Sequence, residues 1–285
     1  MAAHRLTVES NIMESKLADA LHLKCHPVAL LWTDQQPVGA IRFHKEKWGC
    51  VMSMFAQAAA EGKTVAFDRD TFGCLGGGVG LGFGNQYQNW RGGIECFYGF
   101  LSTGNRGKAG ADRIAEEIGH TGRKVAVERF LDGEGFVQSP ELAEAFVHHL
   151  PIMDIPARYV VFKPLEAVDD DHEQPQVVIF VATPNQLSAL VNLANFARPS
   201  SDNVIIPSCA GCQSIGIFPY REGRADKPRA VVGLTDIAAR VYTGRTLGYD
   251  AFTFAVPFKM FLEIESNISD SFLEKETWSS LLQRS

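Results

Sequence analysis

Val204-Ile205-Ile206-Pro207-Ser208-Cys209-Ala210-Gly211-Cys212-Gln213-Ser214-Ile215-Gly216-Ile217-Phe218 is the stretch whose reading decides this chain. A β-branched run comes first, as a short strand requires. A proline then closes the exit, two thiols follow three residues apart, and a second apolar run begins. The pattern predicts a strand that hands over to a buried segment, with the thiols at the handover. Such a pair can grip one soft metal or an iron–sulfur cluster, or close a disulfide. Two thiols complete neither a zinc site nor a cluster, so the remaining cysteines have to be sought along the chain.

Working outward, strand-like and helix-like runs alternate. Val28 to Trp32, Thr64 to Phe67, Ile94 to Leu101, Tyr159 to Phe162, Gln176 to Val181 and Ala251 to Pro257 read as strands. Residues 11–23 place Ile12, Leu17, Ala20 and Leu21 at helical spacing. Val51 to Ala60 predicts a buried helix stopped by Gly62, and residues 109–119 another. Ser139-Pro140-Glu141 reads as a cap with proline at the first helical position, opening a helix to His148-His149. Thr183-Pro184 opens one through Leu190, Thr235 to Tyr242 is helical, and Ser269 caps a closing helix to Leu282. No period of 20–50 residues emerges. The expected fold is α/β or α+β, a mixed sheet with flanking helices. The expected organisation is a single domain over 1–285. A break near 104–110 or 151–157 would give two lobes sharing a central site.

The 285 residues are 46% hydrophobic, enough for a sizeable core. The formal charge is -6 and no dense Lys/Arg block occurs, which argues against nucleic acid or an anionic membrane surface as partner. No apolar run approaches the roughly 18 residues of a membrane-spanning helix. Met1 to Ser10 is polar, without the apolar core of a signal peptide. A cytoplasmic protein is expected, in which six cysteines are thiols or metal ligands rather than disulfides.

Four cysteines fall in loops or at element ends: Cys50, Cys74, Cys209 and Cys212. Cys50 opens the Val51 helix, whose first turn favours a thiolate. Cys74 lies in Phe72-Gly73-Cys74-Leu75-Gly76-Gly77-Gly78-Val79-Gly80-Leu81-Gly82-Phe83-Gly84. A run so rich in glycine predicts a loop rather than a regular element, one that lets backbone approach a cofactor. Gly73, Gly76 and Gly77 are the candidate cofactor-binding glycines. The run lacks the Lys-Ser/Thr ending of a phosphate loop. Cys25 precedes a strand and Cys96 lies inside one, so both read as packing residues, with Cys96 the reserve ligand. His148-His149 point apart on a helix, and Asp169-Asp170-Asp171-His172-Glu173 reads as a solvated loop.

The Leu23-to-Trp32 strand, the Cys50 helix, the Cys74 glycine run, the Val177-to-Leu190 strand–Pro–Gln–helix segment and Pro207-Ser208-Cys209 together resemble the DUF169 family. The resemblance covers most of the chain as an ordered set of short motifs. It implies a metal or iron–sulfur centre at Cys50, Cys74 and Cys209. Members often carry a further cysteine in a Leu-Gly-Cys context. This chain has Val232-Gly233-Leu234 in the matching place, which leaves Cys212 as the local replacement.

The functional expectation is a protein holding a [4Fe-4S] cluster through Cys50, Cys74, Cys209 and Cys212, with a redox or small-molecule-transforming role. A structural zinc at the same thiols, in a small-molecule-binding protein, is the alternative. A third reading is an α/β domain whose cysteines are simply buried. Phe72, Leu75, Met52, Met54 and Phe218 lie near the thiols in sequence and would wall the centre. The cations open to an anionic substrate are Arg91, Arg240 and Lys259, and Tyr98 and Glu95 could serve as acid and base. Expected partners are an electron donor or acceptor protein, a small molecule and a second copy of the chain.

Overall fold

A computed structural model describes residues 13–44, 48–120, 124–169 and 171–283. The Met1–Ser10 segment, Ile12 and Asp170 of the acidic stretch lie outside the described residues. The chain forms two compact units, one of Met1–Gly82 with Ile155–Ser285 and one of Phe83–Asp154. The second junction falls within the 151–157 segment, whereas residues 104–110 lie inside the inserted unit.

In chain order the first unit contains α1 (Lys16–Ala20), β1 (Val28–Thr33), β2 (Ile41–Arg42), α2 (Val51–Glu61), β3 (Val65–Asp68) and α3 (Leu75–Gly80). The inserted unit contains α4 (Ile94–Leu101), α5 (Ala111–Gly119), α6 (Lys124–Asp132) and α7 (Pro140–His149). The first unit resumes with β4 (Tyr159–Pro164), β5 (Val177–Ala182), α8 (Pro184–Phe196), β6 (Val204–Ile205), α9 (Gly211–Ile215) and α10 (Ile217–Glu222). It ends with β7 (Ala230–Gly233), α11 (Ile237–Leu247), β8 (Phe252–Pro257), α12 (Phe258–Ser266) and α13 (Glu276–Leu282).

The fold is α/β, built on one mixed sheet of eight strands in the order β2-β3-β4-β1-β5-β8-β7-β6. The central strands are antiparallel, with β1 against β5 through Ala29↔Val178. A parallel pair stands at each edge, Ile41↔Val65 and Val204↔Ala230. A parallel pair needs a crossover. Here α2 makes one, and α9 with α10 makes the other. The order reads identically from either edge when β1 to β4 are matched with β5 to β8, so the sheet is two similar four-stranded halves meeting at β1 and β5.

Both faces are covered, and β5 accordingly reads as an unbroken buried run, Val-Val-Ile-Phe-Val-Ala. One face buries Val178, Phe180, Phe254 and Val256 against Leu190, Leu193 and Phe261 of α8 and α12. The other face takes α2, whose Phe55 ring meets Phe162 at 5.8 Å, and Phe162 in turn meets Phe67 at 5.7 Å. In the inserted unit Ala111, Ile114, Ala115 and Phe130 form a small core of their own.

Three expectations are corrected. Ile94 to Leu101 is the helix α4, not a strand, and carries Cys96. A short aromatic run has no decisive period, and the described part of the inserted unit offers no strand ladder for it to join. Ser269 does not cap a long closing helix. It sits within a 3-10 turn, Ile268–Asp270, while Ser271 caps a second turn and α13 begins only at Glu276. The glycine run is not all loop, because Leu75–Gly80 is the helix α3. Glycine is a poor helix former in water, but here its missing side chain is what permits the packing. A methyl group at Gly80 would stand 2.7 Å from the Cys212 carbonyl carbon and 2.9 Å from its Cβ. The expected helix over 11–23 is described only as the five residues of α1.

The packing of α3 gives a direct test. Gly80→Ala should destabilise the protein by about 1–3 kcal/mol in urea, as overpacking does. Gly119→Ala is the control. Its methyl would meet only Val127 Cγ2, at 3.7 Å, and should leave the midpoint unchanged or slightly raised.

Candidate metal centre

Sequence places each of the four thiols at the start of a helix, and the fold brings those starts together. Cys50 is the N-cap of α2 and Cys74 the N-cap of α3. Cys209 precedes the N-cap of α9 by one residue, and Cys212 is inside that helix. The segments carrying Cys50 and Cys74 touch directly. Gly73 has φ +93°, and a side chain there would meet Phe43 and stand 2.6 Å from the Gly49 carbonyl oxygen. A methyl at Gly77 would lie 2.6 Å from Val51 Cγ2 and 3.1 Å from Cys74 Sγ. On the far side α3 lies on α9, so Cys212 Sγ donates to the Gly76 carbonyl at 3.2 Å. The Gly77 N–H donates to Cys74 Sγ, also at 3.2 Å. The three candidate glycines thus make the backbone contacts that join the thiol segments.

A fifth group was not found by sequence reasoning. Asp236 is the N-cap of α11, accepting from Ala238 N–H through Oδ1 at 2.8 Å. Its Oδ2 accepts from Gly211 N–H at 3.0 Å, between the two cysteines of the Cys-Ala-Gly-Cys segment. One carboxylate therefore ties the start of α9 to the start of α11. The available signal was Thr235-Asp236 ahead of an apolar run, a cap pattern. Ordinary caps are common enough that nothing in it points to the thiols.

Burial dominates the electrostatics. Cys212 is buried, and the other three are partly buried. Desolvation pushes Cys74 up to about 11 and Cys209 up to about 12. It raises Cys50 as well, with the N–H groups of Ser53 and Met52 pulling back. Cys212 is raised well above 9.0, first by burial and then by negative charge on Cys74, Cys50, Asp236 and Cys209. These couplings make the four thiols and Asp236 one electrostatic cluster. Among the described residues, no group of three or more His, Cys, Asp or Glu is arranged to hold a metal ion.

The other candidates are distributed as follows. Met52 is buried and reaches this site, its Cγ 3.2 Å from the position of a methyl on Gly211. Met54 and Phe218 are buried, and Phe72 and Leu75 are partly so. Arg240 donates to the Tyr249 carbonyl and lies over the Phe252 ring. Arg91, Glu95, Tyr98 and Cys96 belong to the inserted unit. Tyr98 is raised, mainly by burial and then by Glu144 and Glu95. His149 Nδ1 bonds the Ala145 carbonyl, and in the acidic stretch Glu173 pairs with Lys163 and Asp169 with His172.

A family model for DUF169, described as uncharacterised ArCR, matches residues 16–267. The chain belongs to the DUF169 family. The match spans all four candidate thiols and Asp236. Comparison with curated proteins and with solved structures finds no match. Among the described residues of this DUF169 chain no helix is long and apolar enough to cross a membrane.

Two outcomes follow from this geometry. In metal-free protein Cys74 holds its proton from the usual 9.0 up to about 11, while the unfolded chain has already lost it. The unfolded state then binds fewer protons, so stability falls as pH rises through that window. Urea midpoints measured across it should decline, and less steeply in Cys74→Ser. Asp236→Ala should lower the unfolding free energy by about 1–2 kcal/mol through loss of the cap, with Asp236→Asn recovering most of it.

Proposed function

We propose that this protein binds an iron–sulfur cluster, of the [4Fe-4S] type, through Cys50, Cys74, Cys209 and Cys212, and uses it in a redox or small-molecule-transforming role. The observation that carries the reading is the sign of the charge around the thiols. The charge effects on Cys212 all oppose its ionisation: Asp236 is a carboxylate, and a proton lost from Cys74, Cys50 or Cys209 would add further negative charge. A thiol working as a nucleophile or in disulfide exchange needs its proton removed at neutral pH, usually by a nearby cation or a helix start. Here burial and like charge work against that, and a cationic centre is the group that would hold several of them as thiolates at once.

The donor set suits such a cluster. It is all sulfur, drawn from three segments, and lies at helix starts that present backbone N–H groups. Hydrogen bonds to cluster sulfurs tune its potential. The Gly77 N–H already points at Cys74 Sγ. When bound, the cluster would supply one-electron chemistry. The chain's own part is to hold four thiols, shed their protons on loading, and keep a buried wall of Met52 and Val51 beside them. Cys212 would give up its bond to the Gly76 carbonyl. An electron donor or acceptor protein is the partner this reading requires.

The same thiols around zinc form the second reading, favoured only by the Cys-x-x-Cys spacing at Cys209 and Cys212. Anaerobically purified protein decides between them. The expected result is iron and acid-labile sulfide in near-equal amounts, with a broad visible absorption that bleaches with dithionite. Cys50→Ser, Cys74→Ser, Cys209→Ser and Cys212→Ser should each lose most of the iron, and Cys96→Ser should lose none. Stoichiometric zinc in colourless protein would replace the cluster with the second reading.

A further inference from the structure

Away from the thiols, the first unit has a cavity of about 390 Å³ between the end of β8, the start of α12 and the end of α10. That volume lies in the range of small-molecule sites. Its wall includes Arg224 and Lys259, and no aspartate or glutamate lines it. In a chain of net charge -6 this pairing needs an account.

The neighbouring carboxylates are already engaged elsewhere. Glu263, one helical turn beyond Lys259, is held by Arg198 through Nε at 2.9 Å and Nη2 at 2.6 Å. Glu222, two residues before Arg224, is buried and held by Arg221 at 2.8 Å and by Arg229 at 2.9 and 3.1 Å. Arg224 is instead fixed by stacking. Its guanidinium lies 3.5 Å from the Tyr220 ring centroid, and Nη1 donates to the Tyr220 carbonyl at 3.4 Å. Stacking on a ring leaves the planar edge of the guanidinium open to a carboxylate. Both cations are exposed to water, which screens them, so charge alone would hold an anion weakly. The wall also carries Gln174, Gln176 and Tyr220, and its apolar part includes Phe258, Leu262 and Pro257. Burial of an apolar body against these would supply what the screened charges lack.

We infer that this cavity binds a small organic acid, its carboxylate between Arg224 and Lys259 and its apolar body against Phe258 and Leu262. The site is independent of the proposed cluster, since none of the four thiols or Asp236 lines it. Its wall does reach toward Trp32. The Tyr220 ring meets the Trp32 indole at 4.7 Å, and Trp32 Nε1 donates to the Leu81 carbonyl just beyond α3. Occupancy should therefore be visible in the tryptophan fluorescence.

The test is a calorimetric and fluorescence titration of the full chain with benzoate, with inorganic phosphate as the probe of charge alone. Saturable benzoate binding is expected, with phosphate binding at least about 10-fold more weakly. Lys259→Ala and Arg224→Ala should each weaken benzoate by about 10-fold, the size of one lost charged hydrogen bond. Leu262→Asp should abolish binding while leaving the iron content as in the unaltered protein. Absence of saturable benzoate binding overturns the proposal. So does binding that survives both cation variants, or phosphate binding as tightly as benzoate. If one cation variant fails to fold, as judged by thermal melting, the other decides.

Discussion

The contact between α3 and the α9–α10 joint is made by backbone rather than by side chains, and much of the molecule follows from it. The Gly80 carbonyl oxygen lies where a side chain on Gly216 would begin, and Cys212 main chain lies where one on Gly80 would begin. Only glycine tolerates such an approach. Because α3 and α9 lie this close, Cys212 reaches the Gly76 carbonyl, and ionisation of its thiol is coupled to that of Cys74. A bulkier helix at either place would separate the two halves of the donor set by at least a side-chain diameter. Helix propensity is given up within α3 to obtain that proximity, which is the usual direction of such a trade when tertiary packing overrides local preference.

The repeated strand order explains why the segments that carry the thiols lie side by side. In each half, the second and third strands are the parallel pair, and the chain leaves each of them into a helix of the same layer. In the first half these exits carry Cys50 and Cys74. In the second half they carry Cys209 with Cys212, and then Leu234 with Asp236. The helices pair across the halves, α2 with α11 and α3 with α9. Four helix starts therefore lie in neighbouring helices of one layer. Three exits supply thiols, and the fourth supplies a carboxylate that binds the Gly211 N–H. The odd exit is also conformationally unusual. Leu234 is buried with φ +60°, a region that non-glycine residues seldom adopt. Cys212, on the neighbouring helix, gives the second half its second thiol from a different position.

Much of this was legible in the sequence, and the reasons differ by element. β1, β4, β5 and β8 are buried on both faces, so their apolar runs are continuous and bounded by turn residues. α7 and α8 announce themselves through Ser139-Pro140 and Thr183-Pro184. The two-residue edge strands are too short to carry a period, and β2 escaped notice for that reason. α4 was misread because aromatic residues at 97, 98 and 100 fit either period over eight residues. Cys50, Cys74, Cys209 and Cys212 could be singled out because glycine, proline or an apolar run marks the chain around each. Asp236 could not, because its role depends on Gly211, which is 25 residues away, and on a helix pairing that only the sheet order imposes.

The arginines near the sheet ends are committed to carboxylates: Arg158 to Asp68 and Asp70, Arg198 to Glu263, and Arg221 with Arg229 to Glu222. Asp236 stands beside the thiols, where burial makes a thiolate costly unless a cation is present. Positive charge collects on Arg224 and Lys259, beside an apolar wall. The link between them is covalent and short. Cys212 in α9 and Tyr220 in α10 are separated only by the Gly216 joint, whose backbone is locked against Gly80.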